Sequence, residues 1–307
     1  MFKTITTFLV DYFRAFFLAG IVWWLVFPDF FTPTYYWLTP LIIWLMYLWS
    51  LDIDWSALWS LKKYRKQVIQ WYVVMMLLLP LVLYFLLWPI IWNEVATGVF
   101  LLSIAPAWIA AVAFTRLMGW NSLLALCLAI ISTLTFPFLL PLMTQYFLSQ
   151  SVAIDSMAMF TDLLLYCILP IAAWWATQQY LPIVKRHVSD HIDRVSIIMI
   201  TLMITWPVAY NASVFLDLKL SYVLLTVVWL FGLSALLHLA WWFTFTGAGK
   251  ENKIAWSLSK WFMNISVVTV VAAKFFSPTV LLIVMLYEFP RDLMLIPFKW
   301  VMKRVKG

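Results

Sequence analysis

The sequence predicts an all-α polytopic membrane protein of about ten transmembrane helices, arranged as two inverted five-helix repeats. Three observations carry that expectation. The chain of 307 residues is 65% hydrophobic and only 11% charged, with a mean hydropathy of +0.97; a soluble domain carries about 25% charged residues to solvate its surface. Its apolar runs are close to the roughly 20 residues that a spanning helix needs, and they do not alternate as barrel strands do. Its basic residues recur in every second gap between those runs.

Backbone amides in lipid must be satisfied within the chain, so each run reads as a helix. In order the spans fall near 8–27, 35–51, 69–91, 95–116, 121–148, 157–183, 195–213, 220–245, 254–275 and 278–299. The stretch from Met1 to Gly20 mixes Lys3, Asp11 and Arg14 with apolar residues and lacks the pattern of a cleaved secretory signal, so it opens the first span. Lys62, Lys63, Arg65 and Lys66 lie between spans two and three, and Arg116 closes span four. Lys185, Arg186 and Arg194 follow span six, Lys250 and Lys253 follow span eight, and Lys299, Lys303, Arg304 and Lys306 follow span ten. All fall on one side of the membrane, opposite Asp29, Glu94, Asp155 and Asp217, with Lys219 the main exception. The basic side is cytoplasmic by the positive-inside rule, which puts both termini inside and points to a bacterial inner membrane. That placement also explains the net charge of +7 without a nucleic-acid partner. Trp23-Trp24, Trp88, Trp92 and Trp241-Trp242 near span ends read as an aromatic belt.

Ten spans divide into repeats over 1–150 and 151–307. Five is odd, so the second half enters from the opposite side, the plan of many secondary transporters. Span four carries an interior proline, Ala105-Pro106-Ala107, and ends in Thr115-Arg116. Span nine holds the matching place in the second half and contains Lys260 and Asn264. Helix breaks and buried polar groups in matching spans are the best sequence pointer to a binding site.

At these residues the chain resembles the bile acid:sodium symporter family. The run from Pro106 to Pro141 is similar without gaps to that family's fourth and fifth helices, with Pro106, Thr115, Leu117, Asn121, Ser132, Thr133, Leu134, Pro137 and Pro141 as shared landmarks. Pro80 in MMLLLPLV resembles the proline of its third helix, and Lys274 to Pro297 resembles its last. The resemblance implies a panel domain and a core domain, intermixed from both halves, with broken helices four and nine crossing at mid-membrane. In sodium-coupled members two sodium ions sit at that crossing on hydroxyl, amide and carboxylate oxygens, as hard cations require. Carried onto this chain, the polar positions of helix four become Ala111 and Val112, and those of helix five become Ala125 and Ala129. The glutamine of helix three falls on Met75, and the glutamate and glutamine of helix nine fall near Ser257 and Trp261. Methyl groups and an indole cannot replace a hydration shell, so the resemblance argues for the fold and against sodium coupling by that route.

Ionisable groups inside the membrane are costly and therefore candidates for function. Lys260 either replaces the bound cation as a fixed positive charge that holds an anion or exchanges a proton, or it snorkels to the cytoplasmic interface. Glu288 either pairs with Lys260 or Arg291 or carries a proton. Arg116 suits the C-terminal end of its helix. Asn264 either caps a half-helix or touches substrate, while Asn211 reads as structural. Asp162 is expected to face the interface and His238 to be a satisfied core histidine. His187 and His191, in a polar loop with Asp190 and Asp193, read as a solvated loop rather than a metal site. Cys127 and Cys167 lack partners at metal or redox spacing and read as packing residues. No metal, cofactor or enzymatic motif is expected. The partners implied are the lipid bilayer and a small-molecule solute; nothing in the sequence sets an oligomeric state.

The leading expectation is a secondary transporter of small organic, anionic solutes that lacks the usual sodium sites. A non-transporting sensor or assembly protein is the alternative, favoured by the lost sodium ligands and by only seven glycines. A metalloid exporter on the same fold is a third, weakened by the missing thiol in helix four.

Overall fold

A computed structural model describes residues 32–53, 57–87, 93–117, 119–148, 154–181, 192–244 and 249–294, with a few isolated positions besides. The first predicted span up to residue 26, the loop from Val184 to His191 and the basic cluster after Phe298 lie outside the described residues, as do Trp88 and Trp92. So do the side chains of Asp193, His238, Trp241 and Trp242.

All regular structure among the described residues is helical. A 3-10 turn, Thr32–Trp37, leads into α1 (Leu38–Asp52). Helix α2 (Ala57–Trp71) runs through a π-helical stretch, Tyr72–Leu78, into α3 (Leu79–Leu87). Then come α4 (Asn93–Ile104), α5 (Ile109–Leu117) and α6 (Ser122–Phe147). Helix α7 (Ser156–Leu163) likewise passes through a π-helical stretch, Leu164–Ile168, into α8 (Leu169–Tyr180). The chain continues through α9 (Ile192–Tyr210), α10 (Ala212–Asp217) and α11 (Leu220–Thr244). It ends in α12 (Lys250–Trp261), α13 (Ile265–Phe275), α14 (Pro278–Leu286) and α15 (Glu288–Leu293). Among the described residues four helical stretches, Trp59–Leu87, Ser122–Phe147, Ser156–Tyr180 and Leu220–Leu237, are long and apolar enough to cross a membrane.

Two boundaries differ from the sequence expectation. The third span was expected to start at 69, but the helix begins at Ala57 and takes in Lys62, Lys63, Arg65 and Lys66. Lysine, arginine and glutamine are good helix formers, and Leu61, Tyr64 and Val68 at helical spacing give this segment a packed face. Span nine likewise starts at Lys250 rather than 254. Both π-helical stretches lie just before a proline, Pro80 and Pro170. A proline has no N–H and clashes with the carbonyl four residues back; the wider turn relieves that clash.

The helices pack in two groups. In the first, α1 lies against α8 and α9. In the second, α3–α6 and α11–α14 supply the two broken helices and the spans around them; α7, continuous with α8 of the first group, packs across onto α6. Within the second group α4 packs on α14 with Gly98 at the closest approach, where a Cβ would lie 2.5 Å from Ile283 Cγ2 and 2.9 Å from its Cβ. The Ile283 Cβ cannot rotate away. Gly98→Ala should therefore lower thermal stability by about 1–3 kcal/mol as an overpacked site, even though alanine favours helix by about 1 kcal/mol. Ile283→Ala in the same chain should recover part of the loss; an unchanged melting temperature in Gly98→Ala would show that the helices separate freely.

A candidate substrate site at two broken helices

Neither α4 (12 residues) nor α5 (9 residues) spans a bilayer alone. At 1.5 Å per residue they measure about 18 and 14 Å, which together match a hydrocarbon core of about 30 Å. The same holds for α12 and α13, with 12 and 11 residues. The two breaks meet. Ala107 and Met263 form an antiparallel bridge, in which Trp108 N–H donates to the Phe262 carbonyl and Asn264 N–H to the Pro106 carbonyl, both at 2.7 Å.

Pro106 starts the break because it supplies no N–H. Ala107 N–H, which would reach back to Ser103 in an uninterrupted helix, donates instead to Ser132 Oγ on α6 at 3.0 Å. The Ser103 carbonyl is thereby released, and the Lys260 ammonium takes it. Met76 Sδ lies 3.7 Å from the same ammonium. Lys260 is fully buried, so it does not snorkel. It springs from the last turn of α12 and ends on the last turn of α4. Two helix C-termini, each carrying about half a negative charge, thus converge on one positive charge.

Asn264 caps the second half-helix: its Oδ1 accepts from Val267 N–H at 3.3 Å, and its amide lies 3.4 Å from Met46 Sδ. Asn121 caps α6 on Leu124 N–H and donates to Asn252 Oδ1 at 2.7 Å, tying the start of α6 to that of α12. A narrow cavity lies between α1 and the crossing, walled by Met46, Trp49, Trp108, Ile130, Thr133 and Asn264 among others, with no charged residue in its lining.

The other predicted residues separate into those at the crossing and those away from it. Met75, Ala111, Val112, Ala125, Ala129, Ser257 and Trp261 are all buried, but Met76 rather than Met75 faces the ammonium. The Thr115 hydroxyl donates to the Ala111 carbonyl at 2.6 Å, within its own helix, and its proton is not free for a substrate. Arg116 closes α5, exposed and away from the break. Glu288 pairs with Arg291 rather than Lys260. Arg291 also reaches Asp292 at 3.2 Å and sits 5.4 Å over the Trp108 ring, which in turn lies 5.3 Å from Trp49 on α1. Asn211 bonds the Pro207 carbonyl one turn back. Asp162 pairs with Lys274. The sequence pointed to Ser132 as a family landmark, but Ser103, Met76 and Trp108 were missed. A backbone carbonyl leaves no trace in residue type.

A model of the sodium bile acid symporter family matches residues 39–218, more than half of the chain. The chain belongs to that family. No curated protein matches it. Membership makes it an integral membrane protein of a transporter family rather than of an enzyme family. The matched stretch covers α1 through α10 and so contains the first broken helix of this symporter-family fold. The second lies beyond it and is joined to the first by the backbone bridge.

Proposed function

We propose that this protein is a secondary transporter of small organic anions that works by alternating access without sodium at the family's usual sites. One observation carries the reading: a buried ammonium occupies the released carbonyl where two half-helices end. Negative helix ends of this kind are where such transporters hold a coupling cation. Lys260 supplies that charge covalently. Of the family's sodium positions, Met75, Ala111, Val112, Ala125, Ala129 and Trp261 offer no oxygen to a free sodium ion, and Ser257 offers a single hydroxyl, too few for a hard cation. The opposite, N-terminal ends of α5 and α13 border the charge-free cavity through Ile109 and Asn264. Their positive ends favour an anionic group, and the tryptophans favour an apolar body.

Ten spans in two inverted repeats, 1–150 and 151–307, follow from the same reading. Its support is the pairing of elements: α4 packs on α3 and α14, while α12 packs on α11 and α6. In each case a half-helix lies against the span before it and against the last span of the other repeat. The group of α1, α8 and α9 then acts as the panel and the group around the crossing as the core, with both termini in the cytoplasm.

Uptake of a panel of labelled carboxylates into proteoliposomes tests the reading. Flux should be unchanged when sodium is replaced by potassium at equal ionic strength. Flux that requires sodium would mean that a cation site exists elsewhere, and an absence of flux for every solute would favour a sensor or assembly role.

A further inference from the structure

Far from the crossing, where α1 begins and α13 ends, two contacts tie the helix groups together. Lys274 Nζ lies 2.5 Å from Asp162 Oδ2 on α7, and the Tyr35 hydroxyl donates to the Ala273 carbonyl at 3.1 Å. Asp162 is held from behind, since the Tyr166 hydroxyl donates to its Oδ2 at 3.1 Å. The ion pair is lopsided. The Lys274 side chain is 48% exposed and that of Asp162 only 14%.

Beside this pair opens a pocket whose lining includes Tyr35, Tyr36, Thr39, Tyr210, Val270 and Lys274, with Lys274 the single charge among the described lining residues. Tyr35 and Tyr210 stack there with ring centroids 4.3 Å apart, and Tyr36 and Tyr210 are largely exposed. The pocket thus presents one ammonium, hydroxyl groups and aromatic faces, and no carboxylate of its own. That is the chemistry of a site for a small organic anion with a flat, apolar body.

We infer that this pocket is an entry site for an organic anion, whose carboxylate takes Lys274 from Asp162 and so releases the tie between the two helix groups. Lys274 is half-exposed and can turn away at small cost, and the Tyr166 hydroxyl stays on Asp162 when the ammonium leaves it for an incoming carboxylate. Once Lys274 turns to the ligand, the Tyr35 bond to the adjacent Ala273 carbonyl and the packing of α13 on α1 and α9 still join the groups at this edge. The role in gating rests on the transport reading; the binding itself does not.

The probes are benzoate and its neutral analogue benzamide, added to the purified full-length chain in detergent. Binding is read by calorimetry and by protection of Tyr36→Cys from maleimide, Cys127 and Cys167 being buried. Benzoate should bind and protect, benzamide should do neither, and Lys274→Gln should lose both effects. Lys274→Arg, which keeps the charge, should retain them and serves as the folding control. Asp162→Asn removes the internal competitor and should tighten benzoate binding by roughly two- to fivefold, the equivalent of a weak ion pair. Equal binding of benzamide, binding undiminished in Lys274→Gln, or no tightening in Asp162→Asn would overturn the site. Binding as described with no flux of any carboxylate in proteoliposomes would overturn the transport reading and leave the site standing.

Discussion

Lys260→Met should bring uptake in proteoliposomes down to the level of empty vesicles while the protein still inserts and purifies as a single species. Methionine nearly matches lysine in length and volume, so packing between α4 and α12 is kept and only the charge is lost. Stability should change little. Leaving the Ser103 carbonyl without a donor costs about 1–3 kcal/mol, but the variant no longer desolvates an ammonium whose partners among the described residues are a carbonyl and a thioether. Two helix C-termini would then face each other with nothing between them, and their repulsion falls on the crossing itself. A second variant separates charge from shape. Lys260→Ala should also be inactive, and added methylammonium, which fits the space of the truncated side chain, should restore part of the flux. Full activity in Lys260→Met would show that the charge plays no part in transport.

Arg291→Met should be the most destabilising single change, by about 3–5 kcal/mol, the range for breaking one side of a buried ion pair. Arg291 is 8% exposed and serves Glu288, Asp292 and the face of Trp108 at once. Its removal leaves two carboxylates a few residues apart without a cation. Glu288→Gln should cost less, because Arg291 keeps Asp292. The double variant Glu288→Gln with Arg291→Met should be more stable than Arg291→Met alone, since the more buried of the two stranded carboxylates is gone. Chemical denaturation of the purified protein followed by tryptophan fluorescence measures all three. Equal stability for Arg291→Met and the wild type would mean that the pair is solvated in the membrane protein. Because Trp108 lies between Arg291 and Trp49 of α1, loss of the guanidinium should also alter the fluorescence of that tryptophan pair.

Much of the fold could be read from residue types. Hydrophobicity and the absence of alternation mark helices in lipid, and Pro106 marks a lost backbone hydrogen bond, although Pro137, Pro141 and Pro207 lose theirs inside α6 and α9 without interrupting them. The lack of oxygen at Met75, Ala111, Val112, Ala125 and Ala129 is equally plain in the sequence. Helix ends were less legible. Where lysines and arginines extend an amphipathic face, as at Lys62 to Lys66, hydropathy places the end of the apolar stretch and not the end of the helix.

Alone, then, the sequence determined the class of molecule and the interruption at Pro106, since each depends on the identity of single residues or on their periodicity; the second interruption and the place of the sodium positions rested on the family resemblance. The tertiary structure decided the partners. It put Ser132 on the Ala107 amide and so left the Ser103 carbonyl for Lys260. It gave Glu288 to Arg291 and joined Asp162 to Lys274. Periodicity tells which face of a helix is buried, but not which distant helix lies against it. For a charge in lipid, that neighbour settles whether it is a snorkelling lysine or a fixed cation at the centre of the protein.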